Sequence, residues 1–251
     1  MDIKENNNNL NSENKPNNNI EVIKITKIRE IIAQKMVVSS TEIPTATLMD
    51  EIDVTDLISL RKEKKEELDS QGIKLTYMSF IAKATTIALK EIPLFNASFD
   101  AAKKEINIKK FINLGIAVDT NRGLIVPNIK NADQLNIIEL AKEIQKIAQN
   151  AKEEKLTLSQ IQNGTFTISN FGSIGGLQCT PIINIPELAI LGVGKIVKKP
   201  IVKDDQIVIG NVLHLSLSYD HRIIDGADAA RFLNKIISLL NDVSKLEKYI
   251  S

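Results

Sequence analysis

The chain has 251 residues, 43% of them hydrophobic, with 32 basic and 31 acidic side chains and a net charge of +1. That length and apolar content suit one large domain or two small ones, and the balanced charge argues against a nucleic-acid binder, which carries a basic excess. A single cysteine, Cys179, excludes an internal disulfide or a cysteine metal cluster, and two histidines, His214 and His221, make an imidazole metal site improbable. No apolar run reaches the length of a membrane span, and no signal-peptide core opens the chain, so a soluble, reducing compartment is expected.

Nine of the first twenty residues are Asn. A segment so poor in apolar side chains cannot offset its ordering entropy, so residues 1–21 read as a disordered tail or linker remnant. One continuous domain is expected over residues 22–251. Ile28, Ile31, Ile32 and Met36 suggest a short amphipathic helix. Thr45–Asp53 alternates as a strand, a charged helix runs from Val54–Asp56 to Leu68, and Gln71-Gly72 ends it. A second helix spans about Thr76 to Glu91, with Phe80, Ala84, Ile87 and Ala88 on one face. Strands follow near Phe111–Asp119 and Leu124–Ile129, with Asn121-Arg122-Gly123 as the hairpin turn. Asn136–Ala151 carries Ile137, Leu140, Ala141, Ile144, Ile147 and Ala148 at helical spacing. Further strands are expected at Thr165–Ser169, Leu188–Val193, Ile196–Val202, Gln206–Ile209 and Val212–Tyr219, then a helix over Ala227–Leu246. Helices mixed with hairpin-linked strands predict an α+β fold.

Three stretches could carry chemistry. In Ser218–Gly226, His221 follows a strand and precedes Asp225-Gly226. An imidazole titrates near neutral pH and suits a general base, but when the stretch is read alone a solvent-facing turn histidine is the plainer reading. The strand before it sets Leu213, Leu215, Leu217 and Tyr219 on one face. His214, Ser216 and Ser218 take the other, which is either roomy enough for a ligand or covered by a packed element. In Gly164–Gly176 an alternating strand ends in Ser169-Asn170 and a glycine-rich turn, placed to donate hydrogen bonds to an oxyanion or forming an ordinary turn. The turn lacks the lysine of a phosphate loop and the spacing of a dinucleotide fingerprint. Gly115–Pro127 reads as a hairpin with Asp119 near its turn.

Taken in order, these stretches resemble the catalytic core domain of the dihydrolipoyl acyltransferases of 2-oxo acid dehydrogenase complexes. The matching pieces include Ile28–Ala33, Ala46–Asp53, Gly72–Thr76, the Gly115 hairpin, Thr165–Gly176, Pro186–Gly194 and Ser216–Gly226. Within the family the likeness is greatest to members serving pyruvate dehydrogenase. The resemblance implies a chloramphenicol-acetyltransferase-like fold, a mixed sheet flanked by helices, built into trimers and then a cubic or icosahedral cage. It implies transfer of an acetyl group between dihydrolipoamide and coenzyme A without a metal. His221 would be the base for the attacking thiol, Ser169 the oxyanion donor from the neighbouring subunit, and Asp225 would orient the loop by pairing with Arg29. Coenzyme A contacts would fall on Arg61, Thr76, Asp119, Asn170, Gly194 and Ile196.

Lipoyl and peripheral-subunit-binding domains, usual in the family, are not seen before residue 22, so a lipoyl arm is expected in trans, from another chain or from a missing N-terminal part. The implied partners are the pyruvate dehydrogenase and dihydrolipoamide dehydrogenase components, in a bacterial cytoplasm, with neither nucleic acid nor membrane. The alternatives are a branched-chain or succinyl acyltransferase core, a chloramphenicol-type acetyltransferase, and a scaffold that has lost catalysis.

Overall fold

The computed structural model of the chain describes residues 19–250. Residues 1–18 of the expected disordered tail lie outside the described residues, and residues 19–26 are exposed and without regular structure. Helix α1 (Lys27–Glu42) starts at Thr26, whose hydroxyl accepts from the Arg29 N–H at 3.3 Å. Strand β1 (Thr45–Asp53), helix α2 (Thr55–Ser70) and helix α3 (Tyr77–Glu91) follow. Then come β2 (Ala97–Asp100), β3 (Glu105–Ile108), β4 (Leu114–Ile116), β5 (Val118–Thr120), β6 (Gly123–Ile125) and β7 (Asn128–Ile129). Helices α4 (Ile137–Lys152) and α5 (Leu158–Ile161) lead to β8 (Phe166–Asn170), β9 (Ala189–Lys203) and β10 (Gln206–Asp220), and α6 (Gly226–Asn241) and α7 (Ser244–Glu247) close the chain.

Six strands form one sheet in the order β1-β10-β9-β8-β4-β7. Neighbours are antiparallel except β9-β8 and β8-β4, which are parallel. The expected α+β class and mixed sheet are therefore observed. Helices α3, α4 and α6 cover one face, where Phe232 stacks on Phe95 with ring centroids 4.0 Å apart and touches Phe166 at 5.6 Å. All three rings are fully buried. Helix α4 forms where its sequence periodicity set it, opened by a reciprocal cap between Asn136 and Glu139.

Helix α3 is buried nearly all round. Its polar residues are satisfied locally: Thr85 and Thr86 donate to the carbonyls of Ile81 and Lys83 at 2.8 and 2.9 Å. Lys83 Nζ donates to the Leu135 and Asp133 carbonyls at 2.7 and 3.2 Å. Burial pushes that ammonium's pKa below its ordinary value.

The other face of the sheet is covered by the irregular segment 171–187, to which the otherwise exposed or half-buried α1 is tied by Ser39 Oγ donating to the Ile183 carbonyl at 2.7 Å. Ile43, Ile183 and Ile190 form a small second core there.

Several boundaries differ from expectation. The four strands expected between Leu188 and Tyr219 are two long ones, β9 and β10, because β9 passes Gly194 as a bulge and the backbone stays paired through Pro200, Gly210 and Asn211. The two expected around the Asn121 turn are four short ones, since β5 and β6 leave the main sheet as a separate ribbon. The last helix ends at Asn241 and resumes briefly as α7. The β2-β3 hairpin had no sequence expectation.

Candidate active site

Strand β10 delivers His221 onto the turn into α6. The His221 N–H donates to the Pro44 carbonyl at 3.0 Å, and its exposed ring tilts against Tyr219, centroids 5.5 Å apart. Asp220, fully buried, underpins the turn. Its carboxylate accepts from the Arg222 N–H at 3.0 Å and in a two-pronged pair from the Arg222 guanidinium, whose closest contact is 2.7 Å. The N–H groups of Ile223 and Ile224 donate to the Asp220 carbonyl. Arg222 in turn lies 5.3 Å over the Phe99 ring. His221 thus presents its imidazole to solvent on a turn held by hydrogen bonds.

Asp225 caps α6, accepting from the Asp228 N–H at 2.8 Å. His221 and Asp225 therefore both lie on the turn leading into α6 rather than on one helical face. The expected Asp225–Arg29 pair does not form: among the described residues no ion pair joins them within 4.0 Å. Arg29 instead lies at the β5-β6 hairpin, its Nη2 3.9 Å from where a Cβ on Gly123 would be. Capping consumes the Asp225 carboxylate locally and leaves Arg29 to the neighbouring ribbon.

Ser169 and Asn170 end β8, half-buried. Ser169 faces Gly192 on β9, and Gly192 faces Ser216 on β10. His221 lies five residues beyond Ser216 and two strands across from Ser169. At about 3.3 Å per residue and about 4.8 Å per strand, the two are roughly 19 Å apart in one chain. They occupy opposite ends of one sheet and do not meet.

The glycine-rich turn after Asn170 packs backbone to backbone on β9. Phe171 N–H donates to the Val193 carbonyl at 3.1 Å and Lys195 N–H to the Gly176 carbonyl at 2.9 Å. A Cβ on Gly172 would run into the Gly194 carbonyl, and one on Gly194 into the Leu177 carbonyl, so close approach is what these glycines provide. Gly194 thus sits against the turn, with Ile196 two residues on, half-buried. Asp119 is exposed on the β5-β6 ribbon, which leaves the sheet where the Ala117 N–H donates to the Ile168 carbonyl at 2.9 Å, beside Ser169. Arg61 and Thr76 meet elsewhere: Arg61 Nε donates to the Leu75 carbonyl at 2.8 Å and its guanidinium lies 4.8 Å over Tyr77. The expected coenzyme contacts therefore fall into two groups, Asp119, Asn170, Gly194 and Ile196 around the end of β8, and Arg61 with Thr76 at the start of α3.

The polar face of β10 is not an open ligand surface: Ser216 and Ser218 are fully buried and His214 is 2% exposed beneath the segment 171–187. Burial, with Lys199 nearby, pushes the His214 imidazole below its ordinary pKa against the pull of Glu51. Sequence reading gave Glu187 no role. It is 3% exposed, and its Oε1 accepts from Asn184 at 3.0 Å while Oε2 has no partner. Burial pushes its carboxyl up to about 8, against hydrogen bonds from Thr167 and Asn184. An acid between the apolar runs Ile182–Ile185 and Leu188–Val193 was the available signal. Among the described residues, no three or more His, Cys, Asp or Glu side chains gather as a metal site, and no helix is long and apolar enough to cross a membrane.

The fold is that of chloramphenicol acetyltransferase, matched with a TM-score of 0.50 at 15% identity over 82% of this chain and 94% of that one. The family model of the 2-oxoacid dehydrogenases acyltransferase catalytic domain matches residues 17–247, and the chain belongs to that family. The dihydrolipoyllysine-residue acetyltransferase component of the pyruvate dehydrogenase complex of Acholeplasma laidlawii is 54% identical over 232 residues, 92% of this chain and 43% of the relative. Its Bacillus subtilis counterpart is 49% identical over 219 residues, 87% of this chain and 50% of that protein. The chain thus spans about half the length of the curated relatives it matches. Among solved structures, the Azotobacter vinelandii dihydrolipoamide acetyltransferase superposes with a TM-score of 0.88 at 39% identity, over 90% of this chain and 93% of that one. The cubic core of a pyruvate dehydrogenase multienzyme complex gives the same values.

Proposed function

We propose that the chain is the acetyltransferase core of a pyruvate dehydrogenase complex, moving an acetyl group between dihydrolipoamide and coenzyme A. One observation carries the reading. In the Azotobacter vinelandii enzyme, a serine, a histidine 52 residues later and an asparagine four further on have been studied for roles in the catalytic mechanism. Ser169, His221 and Asp225 repeat that spacing. The replacement of asparagine by Asp225 keeps a side-chain oxygen that can cap α6.

His221 takes the proton from the attacking thiol, whose ordinary pKa near 8.5 lies within reach of a neutral imidazole. The new carbon–sulfur bond turns the thioester carbonyl into an oxyanion, and the Ser169 hydroxyl donates to it. When the oxyanion collapses, the old carbon–sulfur bond breaks and the departing thiolate recovers the proton from His221. Asp225 orients the histidine turn as the helix cap. Because Ser169 and His221 lie at opposite ends of one sheet, His221 of one subunit works with Ser169 of the next, in a homotrimer that assembles further into a cage. Arg61, Thr76, Asp119, Asn170, Gly194 and Ile196 hold coenzyme A. The lipoyl arm comes from outside residues 22–251, and the pyruvate dehydrogenase and dihydrolipoamide dehydrogenase components are the working partners, in the bacterial cytoplasm.

The test is acyl transfer to free dihydrolipoamide from acetyl-, isobutyryl- and succinyl-coenzyme A, with the native chain and His221→Ala. Preference for acetyl, lost in the variant, supports the proposal. Preference for another donor reassigns the substrate, and absence of transfer from an assembled protein leaves a scaffold.

A further inference from the structure

Resting on that reading, we propose that His214 is a positioning residue for coenzyme A: it anchors the Phe171–Gln178 turn to the sheet and thereby fixes the end of β8 where Asn170 and Gly194 meet the coenzyme. The register of β9 and β10 slips between Leu213 and Leu215, so that two residues of β9, Gly194 and Lys195, face His214 alone. Such a bulge frees backbone groups from the ladder and re-aims them. Here the freed Lys195 N–H turns away from β10 and donates to the Gly176 carbonyl, so the glycine-rich turn occupies the bulge. Gly194 is held between the Leu177 carbonyl on one side and the His214 Cβ, 3.2 Å from where its own Cβ would be, on the other.

The His214 ring is the ionisable group beneath this contact. Gln178 Nε2, on the turn, lies 3.4 Å from its Nδ1, and Glu51 Oε2, on β1, lies 3.6 Å from the same atom. Glu51 is already engaged by Lys199 of β9 at 2.5 Å. Burial, with Lys199 nearby, disfavours the ring's charged form. A neutral imidazole offers one acceptor, and the Gln178 amide donates to it at Nδ1. Nε2 has no partner, nor has the buried Ser216 hydroxyl two residues along the same face. Among the described residues the one hydrogen bond from this ring to another side chain therefore goes to the turn. The ring is only 2% exposed and lies under the turn, so it acts through the turn rather than on the reacting atoms.

The test compares steady-state acetyl transfer from acetyl-coenzyme A to dihydrolipoamide by the wild-type chain, His214→Leu, His214→Asn and Gln178→Leu. Removing the hydrogen bond in His214→Leu or Gln178→Leu is expected to raise KM for acetyl-coenzyme A about fivefold, the worth of one ordinary hydrogen bond. Turnover at saturation is expected to stay within about twofold and KM for dihydrolipoamide to stay unchanged, since the lost contact orders a binding surface. His214→Asn, whose Oδ1 takes the place of Nδ1, is expected to behave as wild type. An unchanged KM in Gln178→Leu, or an Asn variant as impaired as the Leu variant, overturns the proposal. Gln178 is exposed, so its variant carries the test even where His214→Leu fails to fold. A wild-type chain with no coenzyme-dependent transfer overturns the functional reading itself. That outcome is distinct from wild-type transfer with variants of normal KM, which overturns this inference alone.

Discussion

Glu187→Gln is expected to make the protein more stable, and increasingly so as pH rises. The wild-type carboxyl is fully enclosed, and burial raises its pKa from an ordinary 4.5 to about 8. The folded chain therefore binds a proton that the unfolded chain has released, and stability falls as pH climbs from the unfolded value towards the folded one. At about 1.36 kcal/mol per pH unit, this group costs about 1 kcal/mol at pH 5 and about 3 kcal/mol at pH 7. Glutamine has nearly the same shape, keeps an oxygen to accept from Asn184, and does not titrate. Its amide also supplies a donor where Oε2 stands unpartnered. The assay is denaturant unfolding of both proteins at equal concentration at pH 5, 6 and 7. The gap between them is expected to widen by about 2 kcal/mol over that interval, most of the calculated change. Parallel curves, with a gap independent of pH, would refute the claim that Glu187 is held neutral.

Ser169→Ala is expected to lower turnover about 10²–10³-fold, the usual loss for one oxyanion donor, while His221→Ala abolishes transfer and leaves assembly intact by light scattering. Co-assembling those two variants tests the shared site. Mixed trimers regain some activity because one junction unites an intact Ser169 with an intact His221, and mixtures as inactive as the parents argue for a site within one chain. Arg222→Met leaves the buried Asp220 carboxylate unpaired and is expected to cost about 3 kcal/mol, the lower end for a broken buried pair, since a third of Arg222 faces water. A denaturation midpoint equal to wild type would contradict it. Phe232→Ala opens the stacked core of Phe95, Phe166 and Phe232 and is expected to cost about 3–5 kcal/mol in the same measurement.

Local signals were legible in the sequence. Helix α4 advertised itself through a 3.6-residue apolar period and the Asn136–Glu139 cap, and β10 through strict alternation. His221 stood out because a strand runs straight into it, and Asp225 because a glycine and a helical pattern follow. Signals that depend on pairing were not legible. Gly194 and Gly210 looked like strand breaks, but one is a bulge that admits a neighbouring turn and the other is an ordinary paired position. The sequence left open whether the polar face of β10 is roomy or covered, because its cover, segment 171–187, is irregular and has no period to read. The wide separation of Ser169 and His221 within one chain follows from sheet order and register, which no single stretch encodes. Arg29 was assigned to Asp225 from resemblance, whereas a short-range cap had already claimed that carboxylate.

The far ends of β9 and β10 project past the rest of the sheet as a bare ribbon, with Val202, Ile207 and Ile209 about three-quarters exposed. Two strands alone are barely stable in water, and apolar side chains along such a ribbon make it adhesive. In a single chain this tacky flag faces water. Unfolding by mild denaturant would then compete with clumping, and an apparent midpoint would drift with incubation time instead of reporting an equilibrium.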